Sequence, residues 1–453
     1  MTSPNVLLLT VDTLRADMVG VDKNGNSITP YIDQLASNGV RFDQAMTCGS
    51  WTQAAFPTIL TSTYASMFGG CLGPLAPERP SPVAALAEHG YATAGFTTSP
   101  LLSSAYGYDR GFSTFRELSP GEKDPFLRQI AGGQQLLRKP LTHQIGQLLG
   151  IQTRPADLYV SGKVVSEAVC DWLASVDAPF FAWAHYMDVH WPYHREDRLD
   201  SPQLIAQMWK DLGHMHGVNW NGLTITADQR GYYRQLYREA VQDVDRQLGM
   251  LLDFLAETGR LANTIIFLVS DHGEEFFERR HWGHFETNLY DEVMHVPLLI
   301  GGADVPQGRV VAQQVSTLDL MPTMLDICGC PPPAGMEGES LAPLWRADGG
   351  DYESEFVIGE MWRDHRHIVA VRSSTFKYVW DSQHPENPEL YDLGNDPDER
   401  VNLYRECPNV ARDFQQIVDN HLSRLAAQQM VDVPQPERDP ELVRRLRDLG
   451  YIE

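Results

Sequence analysis

Apolar positions follow two rhythms along the chain. Short runs without alternation, at Asn5–Val11, 91–97, 179–185, Thr264–Ser270 and 296–300, read as strands buried on both faces of a parallel sheet. Helical signals fall between them. Thr29-Pro30 puts an N-cap residue before a proline at the first helical position and predicts a helix over 31–38 that stops at Gly39. Ser81-Pro82 repeats the device for a helix over 83–88, ended by Gly90. Residues 232–256 carry a long amphipathic pattern with Leu236, Ala240, Val244, Leu248, Leu251 and Leu255 on one stripe. This alternation predicts an α/β fold, one large, mainly parallel sheet sandwiched by helices.

Beyond residue 345 the texture changes. Short strands over 356–359, 368–372 and 377–380 precede a turn-rich segment and a helix over 409–425. The chain therefore divides into an α/β domain over 1–345 and a smaller C-terminal α+β subdomain over 346–453. Residues 104–160, rich in Gln, Leu, Gly and Pro, follow neither rhythm and read as an insertion, either over the site or on the plain surface.

Composition narrows the partners. With 453 residues and 43% hydrophobic content the chain can bury a large core. Sixty acidic against 36 basic residues give a formal charge of −24, which argues against nucleic acid and anionic membranes. A small anionic ester remains open as a substrate, because a bound cation can invert the local field. No apolar run approaches the roughly 20 residues of a membrane span, and the first strand lacks the flanks of a signal peptide. Six scattered cysteines form no disulfide framework. Reduced thiols and a cytoplasmic location are expected.

Candidate chemistry collects at strand ends. Asp12 follows the first strand, and Asp271-His272 follow the strand Thr264–Ser270. Ligands of open α/β sheets bind beyond the carboxyl ends of the strands, so these residues can converge. Two carboxylates, an imidazole and a hydroxyl suit Zn²⁺ or Mn²⁺. Either aspartate alone could equally serve as a helix cap.

The flanking phrases resemble the sulfatase branch of the alkaline phosphatase superfamily. Asn5–Val11 with Asp12-Thr13-Leu14-Arg15-Ala16-Asp17 is similar to that family's opening strand and metal aspartate. Residues 29–36 and Gly39-Val40-Arg41-Phe42 match its next helical segment. Ser270-Asp271-His272-Gly273-Glu274-Glu275, Trp282-Gly283-His284 and Val296-Pro297-Leu298 match its second metal segment. Asp319-Leu320-Met321-Pro322-Thr323 and Glu389-Leu390-Tyr391-Asp392-Leu393 resemble its C-terminal signatures. The resemblance implies an alkaline phosphatase-like fold, a divalent metal, a small-molecule ester substrate and, as in many members, a homo-oligomer.

The departures redirect the chemistry. Sulfatases carry C-x-P-x-R or S-x-P-x-R, whose Cys or Ser becomes formylglycine. Aligned through Thr58-Ile59-Leu60-Thr61, this chain has Thr52 at that place, Ala54 at the proline and Phe56 at the arginine. Threonine cannot become formylglycine, and Cys48 lacks the Pro and Arg that its own motif would need. Thr13 replaces the second Asp of the usual pair, and His272 replaces an amide, which favours a transition metal over Ca²⁺. Threonine nucleophiles with an Asp, Asp-His shell occur in phosphoglycerol and phosphoethanolamine transferases, which this site resembles. A threonine hydroxyl must lose its proton to a metal or base before it attacks. Thr52 is therefore expected as both nucleophile and metal ligand, and it could also cap a helix over 53–62.

Within the same resemblance, His190 and His284 match histidines that touch the transferred group or the leaving oxygen. Asp188 could join His190 in a second site or form a structural hydrogen bond. Ser99, with Thr98 competing for the place, lies near a substrate-binding position of the family, and Arg15 could pair with a phosphate or with Asp17. The expected function is a metal-dependent hydrolase or transferase of phosphoesters (mono-, di- or phosphonate esters). A sulfatase working without formylglycine is the alternative, and an inactive binding protein of the same fold the third reading.

Overall fold

The computed structural model describes residues 3–20, 25–69, 73–118, 160–177, 179–191, 193, 207, 210–211, 225–279, 282–284, 288–346, 352–363, 365–427, 433, 442–443 and 446. Its strands run β1 Asn5–Val11, β2 Gly39–Met46, β3 Ala92–Thr97, β4 Thr114–Glu117, β5 Phe180–Tyr186, β6 Thr264–Ser270, β7 Glu275–Phe276, β8 Trp282–Gly283, β9 His295–Gly302 and β10 Arg309–Ser316. Eight of these form one sheet in the order β10-β2-β9-β6-β1-β5-β3-β4. Only β9 runs antiparallel to its neighbours. The expected mainly parallel sheet is thus present, with β1 central between β5 and β6.

Alternation within the buried strands assigns the two faces. Val6 and Leu8 of β1 pack into one apolar layer, with Phe56, Ile59 and Leu60 of α2 (Thr52–Thr61) and Val83 and Leu86 of α3 (Pro82–Glu88). Leu7, Leu9 and Val11 face the opposite layer. There they meet Ile32 and Leu35 of α1 (Pro30–Ser37), Val165 and Val169 of α4 (Gly162–Ser175), and α5 (Ala227–Glu257). The α5 stripe starts on Tyr233 and Tyr237 rather than on Leu236, which is only half-buried. Gly249 lets α5 approach α1, since a Cβ there would lie 2.6 Å from the Tyr31 ring.

Several expectations are corrected. Thr29 stands at the N-cap position of α1 but makes no capping bond, its hydroxyl donating instead to Asp33. Asp245 of α5 takes over, accepting from the Tyr31 and Ile32 N–H groups at 3.3 and 2.9 Å. Ser81 does cap α3, accepting from the Ala84 N–H. Gly39-Val40-Arg41-Phe42 begins a strand, not a helical segment. Of the expected insertion, residues 119–159 lie outside the described residues, whereas Thr114–Glu117 is the edge strand of the sheet.

The C-terminal part is an antiparallel sheet of β11 Val357–Arg363, β12 Arg366–Arg372, β13 Phe376–Asp381 and β14 Glu389–Asp392. The helix Pro408–Ala427 covers one face through Ala411, Phe414 and Val418. The other face meets Met46, Val293 and Met294 of the large domain. Buried Glu360 pins this junction. Its carboxylate accepts from Ser66 Oγ (2.7 Å) and His421 Nε2 (2.8 Å), and its N–H donates to Cys48 O (2.9 Å). Burial pushes this carboxyl up, but the His367 and His421 partners outweigh it and hold it below the usual range. Its stabilisation is therefore present above about pH 4.5 and lost as pH falls below that. Glu360→Gln is expected to cost about 1–3 kcal/mol at pH 7. The difference in melting temperature from wild type should shrink between pH 5 and 3; a constant gap would show that charge is not the cause.

Candidate active site

β1 and β6 pair in register, with Val11 opposite Ser270, so Asp12 and Asp271-His272 leave the sheet side by side. The turn after β1 is shaped for this. Thr13 sits in the left-handed region at φ 58°, a conformation costing a threonine about 1–3 kcal/mol. That conformation lets its N–H donate to Asp271 Oδ1 (3.2 Å) and its hydroxyl to Val189 O (2.9 Å). Tyr237 of α5 locks the turn, donating to Thr13 O and accepting from the Arg15 N–H. On the far side, Gly273 donates to Val293 O, and a Cβ at Gly273 would lie 2.2 Å from Glu292 O.

Asp12, Asp271 and His272 are fully buried, and one ligand atom from each lies within 4.8 Å of the others. Asp12 Oδ1, Asp271 Oδ2 and His272 Nε2 have no hydrogen-bond partner among the described residues. His272 Nδ1 lies 2.9 Å from Gly273 O, a pure acceptor, so Nδ1 carries the proton and Nε2 is bare. That bare nitrogen faces Asp271 Oδ2 at 3.5 Å and Asp12 Oδ1 at 3.7 Å. Lone pairs and carboxylates converging in a dry site call for a cation, and this donor set fits one.

Burial dominates the titration of these groups. It lowers His272 to about 3 and His284 to about 4, and it also lowers His190. Burial and the charge of Asp12 push Asp271 well above the carboxylate range. For Asp12 burial acts upward too, but the surrounding histidines outweigh it and hold it low. Glu274 rises to about 7 through burial.

The histidines form a second tier. The His284 ring lies 4.4 Å from His272 and 5.1 Å from His190, centroid to centroid. His284 Nδ1 donates to Glu274 Oε1 (3.0 Å), whose other oxygen accepts from Tyr193 OH (2.9 Å). Sequence reasoning missed Glu274 and also His185, whose Nε2 lies 3.4 Å from Asp12 Oδ2. A histidine near the end of the otherwise apolar strand Phe180–Tyr186 was the available signal.

Thr52 opens α2, but Trp51 is its N-cap residue, so the capping role expected for Thr52 is not the one observed. The Thr52 hydroxyl is buried without a hydrogen-bond partner among the described residues, as are those of Ser50 and Ser99. One turn on, the Phe56 ring packs edge-on against His185, 5.0 Å between centroids. Cys48 is inert: burial raises its thiol to about 12, and it lies against Ser316 Oγ.

Arg15 and Asp188 both have protein partners. Arg15 is buried and pairs with Asp17 (2.7 Å) and Glu278 (2.9 Å), which commits its fork to protein carboxylates. Asp188 Oδ1 accepts from the Gly162 N–H (2.8 Å) and supports the start of α4.

The sulfatase family signature matches residues 4–330, and that of the N-sulphoglucosamine sulphohydrolase C-terminal region matches 280–428. The chain belongs to the sulfatase family. Arylsulfatase K of Xenopus laevis is 31% identical over 228 residues, covering 46% of this chain. The match spans only 41% of that relative's length. An arylsulfatase of Clostridium perfringens is 25% identical over 450 residues, covering 88% of this chain and 90% of the relative. In three dimensions this sulfatase-family chain is similar to the phosphonate monoester hydrolase of Agrobacterium radiobacter, with a TM-score of 0.70 and 21% identity over 93% of this chain and 96% of the other. Among the described residues no helix is long and apolar enough to cross a membrane.

Proposed function

We propose that this sulfatase-family chain is a metal-dependent hydrolase or transferase of phosphoesters, with Thr52 as nucleophile. The orphaned ligand set of Asp12, Asp271 and His272 carries this reading. Those three residues would hold Zn²⁺ or Mn²⁺, since an imidazole with carboxylates suits either ion better than Ca²⁺. Bound there, such a cation supplies Lewis acidity to a non-bridging ester oxygen and lowers the pKa of a neighbouring hydroxyl.

The chain's own residues do the rest. Thr52 lies at a helix N-terminus, where the dipole favours developing negative charge, and its hydroxyl has no competing protein partner among the described residues. Attack by Thr52 Oγ1 forms a threonine–phosphorus ester bond and breaks the bond to the leaving alcohol. The proton that Thr52 loses on attack goes to a neutral imidazole or to water, and His284 or His190, once protonated, passes a proton to the leaving oxygen, a contribution of roughly 10²–10⁴-fold. Water or an acceptor alcohol then releases the phosphoryl group from Thr52. We assign Ser99, whose hydroxyl is buried, the role of a substrate hydrogen-bond donor.

Sulfuric ester hydrolysis is the second reading, and the family match favours it. Purified protein, reconstituted with Zn²⁺ or Mn²⁺, should be assayed on matched aryl sulfate, phosphate monoester, phosphodiester and phosphonate ester. A kcat/KM at least tenfold higher for a phosphorus ester supports the proposal. A preference for sulfate overturns it in favour of the second reading. Silence on the whole panel, with no stoichiometric metal, would make the chain a binding protein of this fold.

A further inference from the structure

Four side chains form a line running inward from the metal ligands. Trp183 Nε1 lies 2.9 Å from Thr10 Oγ1, and Thr10 Oγ1 lies 3.0 Å from His185 Nδ1. His185 Nε2 lies 3.4 Å from Asp12 Oδ2. All four residues are fully buried.

Proton counting orients this line. An indole N–H can only donate, so Thr10 Oγ1 accepts from Trp183. The single proton of Thr10 can go to Ala184 O at 3.4 Å or to His185 Nδ1 at 3.0 Å, and the shorter contact wins. His185 Nδ1 is then an acceptor, and the ring proton sits on Nε2, facing an acceptor-only carboxylate. The opposite tautomer would set two lone pairs against each other in a dry site. His185 is thus protonated on the nitrogen opposite to that of His272, whose Nδ1 is fixed as a donor by Gly273 O. The two imidazoles divide Asp12 between them, with His185 nearest Oδ2 and His272 nearest Oδ1. Phe56 of the Thr52 helix packs edge-on against the His185 ring and resists its rotation.

We propose that His185 is a positioning residue for the metal site. Held as its Nε2–H tautomer by the Trp183–Thr10 line, it engages Asp12 Oδ2 and leaves Oδ1 turned toward His272 and the cation. This rests on the metal site of the preceding reading, though not on Thr52 or the substrate.

Isothermal titration of the full chain with Zn²⁺ or Mn²⁺, together with nitrogen NMR of histidine-labelled protein, tests it without substrate. The NMR should show a proton on His185 Nε2 and an acceptor at Nδ1. His185→Asn, which keeps a polar atom only at the Nδ1 place, should weaken metal binding by about 10–100-fold, the usual effect of losing an outer partner. His185→Gln, whose amide nitrogen reaches the Nε2 place, should restore most of that affinity. Thr10→Val should weaken binding and change the His185 tautomer, while Thr10→Ser should do neither. A bare Nε2 in the wild type, or equal metal affinity in the Asn, Gln and wild-type proteins, overturns the proposal. Should the Asn variant not fold, the Thr10 pair and the wild-type spectrum decide. Wild-type protein that binds no metal overturns both this proposal and the metal site. A silent ester panel beside the expected metal titrations counts against the function alone.

Discussion

Thr52→Ala is expected to lower kcat/KM on the preferred ester by on the order of 10⁴-fold or more, the scale seen when a covalent nucleophile is removed. The same variant should still fold, because the Thr52 hydroxyl makes no hydrogen bond among the described residues. An unsatisfied buried hydroxyl costs about 1–3 kcal/mol, so alanine should match or exceed the wild-type melting temperature. That combination separates a nucleophile from a structural threonine, whose loss would lower stability and activity together. Thr52→Ser should keep part of the activity, and acid-quenched turnover should trap phosphate on residue 52. Ser50, two residues earlier, is the competing hydroxyl, also buried and unpartnered among the described residues. Ser50→Ala should stay within a few-fold of wild type. Full activity in Thr52→Ala, or a collapse in Ser50→Ala, would move the nucleophile elsewhere.

Legibility of the fold followed burial. β1 and β6 are apolar at nearly every position because both lie inside the sheet with helices on each side, and both were read to their last residue. β2 and β10 escaped for the opposite reason. Arg41 and Asp43 of β2 are exposed, and β10 at the sheet edge is exposed at Arg309, Val310, Ala312 and Gln313. Short strands such as Thr114–Glu117 and Glu389–Asp392 offer four residues each, too few for any periodicity to stand out from turns.

The site shows the same division. Asp12, Asp271 and His272 were legible because each follows a clean strand, and strand ends are where such a sheet gathers its ligands. What sequence could not show is who holds these residues. Asp245 caps α1 from a helix more than 200 residues away, and Tyr237 locks the turn after Asp12 from the same helix. Glu274 orients His284, yet it looks like one more acidic residue in an acidic chain. Such partners are set by tertiary packing, and a local pattern carries no trace of them.

Asp271→Asn should reverse its effect on stability according to whether metal is present. Without a cation, two buried carboxylates and a bare imidazole nitrogen crowd a space in which their ligand atoms lie within 4.8 Å of one another. At an effective dielectric of about 20, two unit charges at that separation repel by about 3 kcal/mol. Burial first, and the charge of Asp12 second, push the Asp271 pKa up, so a retained proton relieves part of this repulsion. Asparagine relieves it. Its carbonyl oxygen can still accept from the Thr13 and His272 N–H groups, as Asp271 Oδ1 does. Its amide can donate to His272 Nε2 and Asp12 Oδ1, which have no hydrogen-bond donor among the described residues. In chelator the variant should therefore melt above wild type, by the equivalent of about 1–3 kcal/mol. At a metal concentration about 1,000 times Kd the wild type gains about 4 kcal/mol from binding, and a variant missing a ligand gains far less. The order of melting temperatures must then cross between the two conditions. A variant less stable than wild type in both would mean that Asp271 holds the fold together and is not kept for a cation. The crossing also explains why such a cluster persists in an otherwise apolar sheet end, since a chain selected for apo stability alone would replace one of the two aspartates.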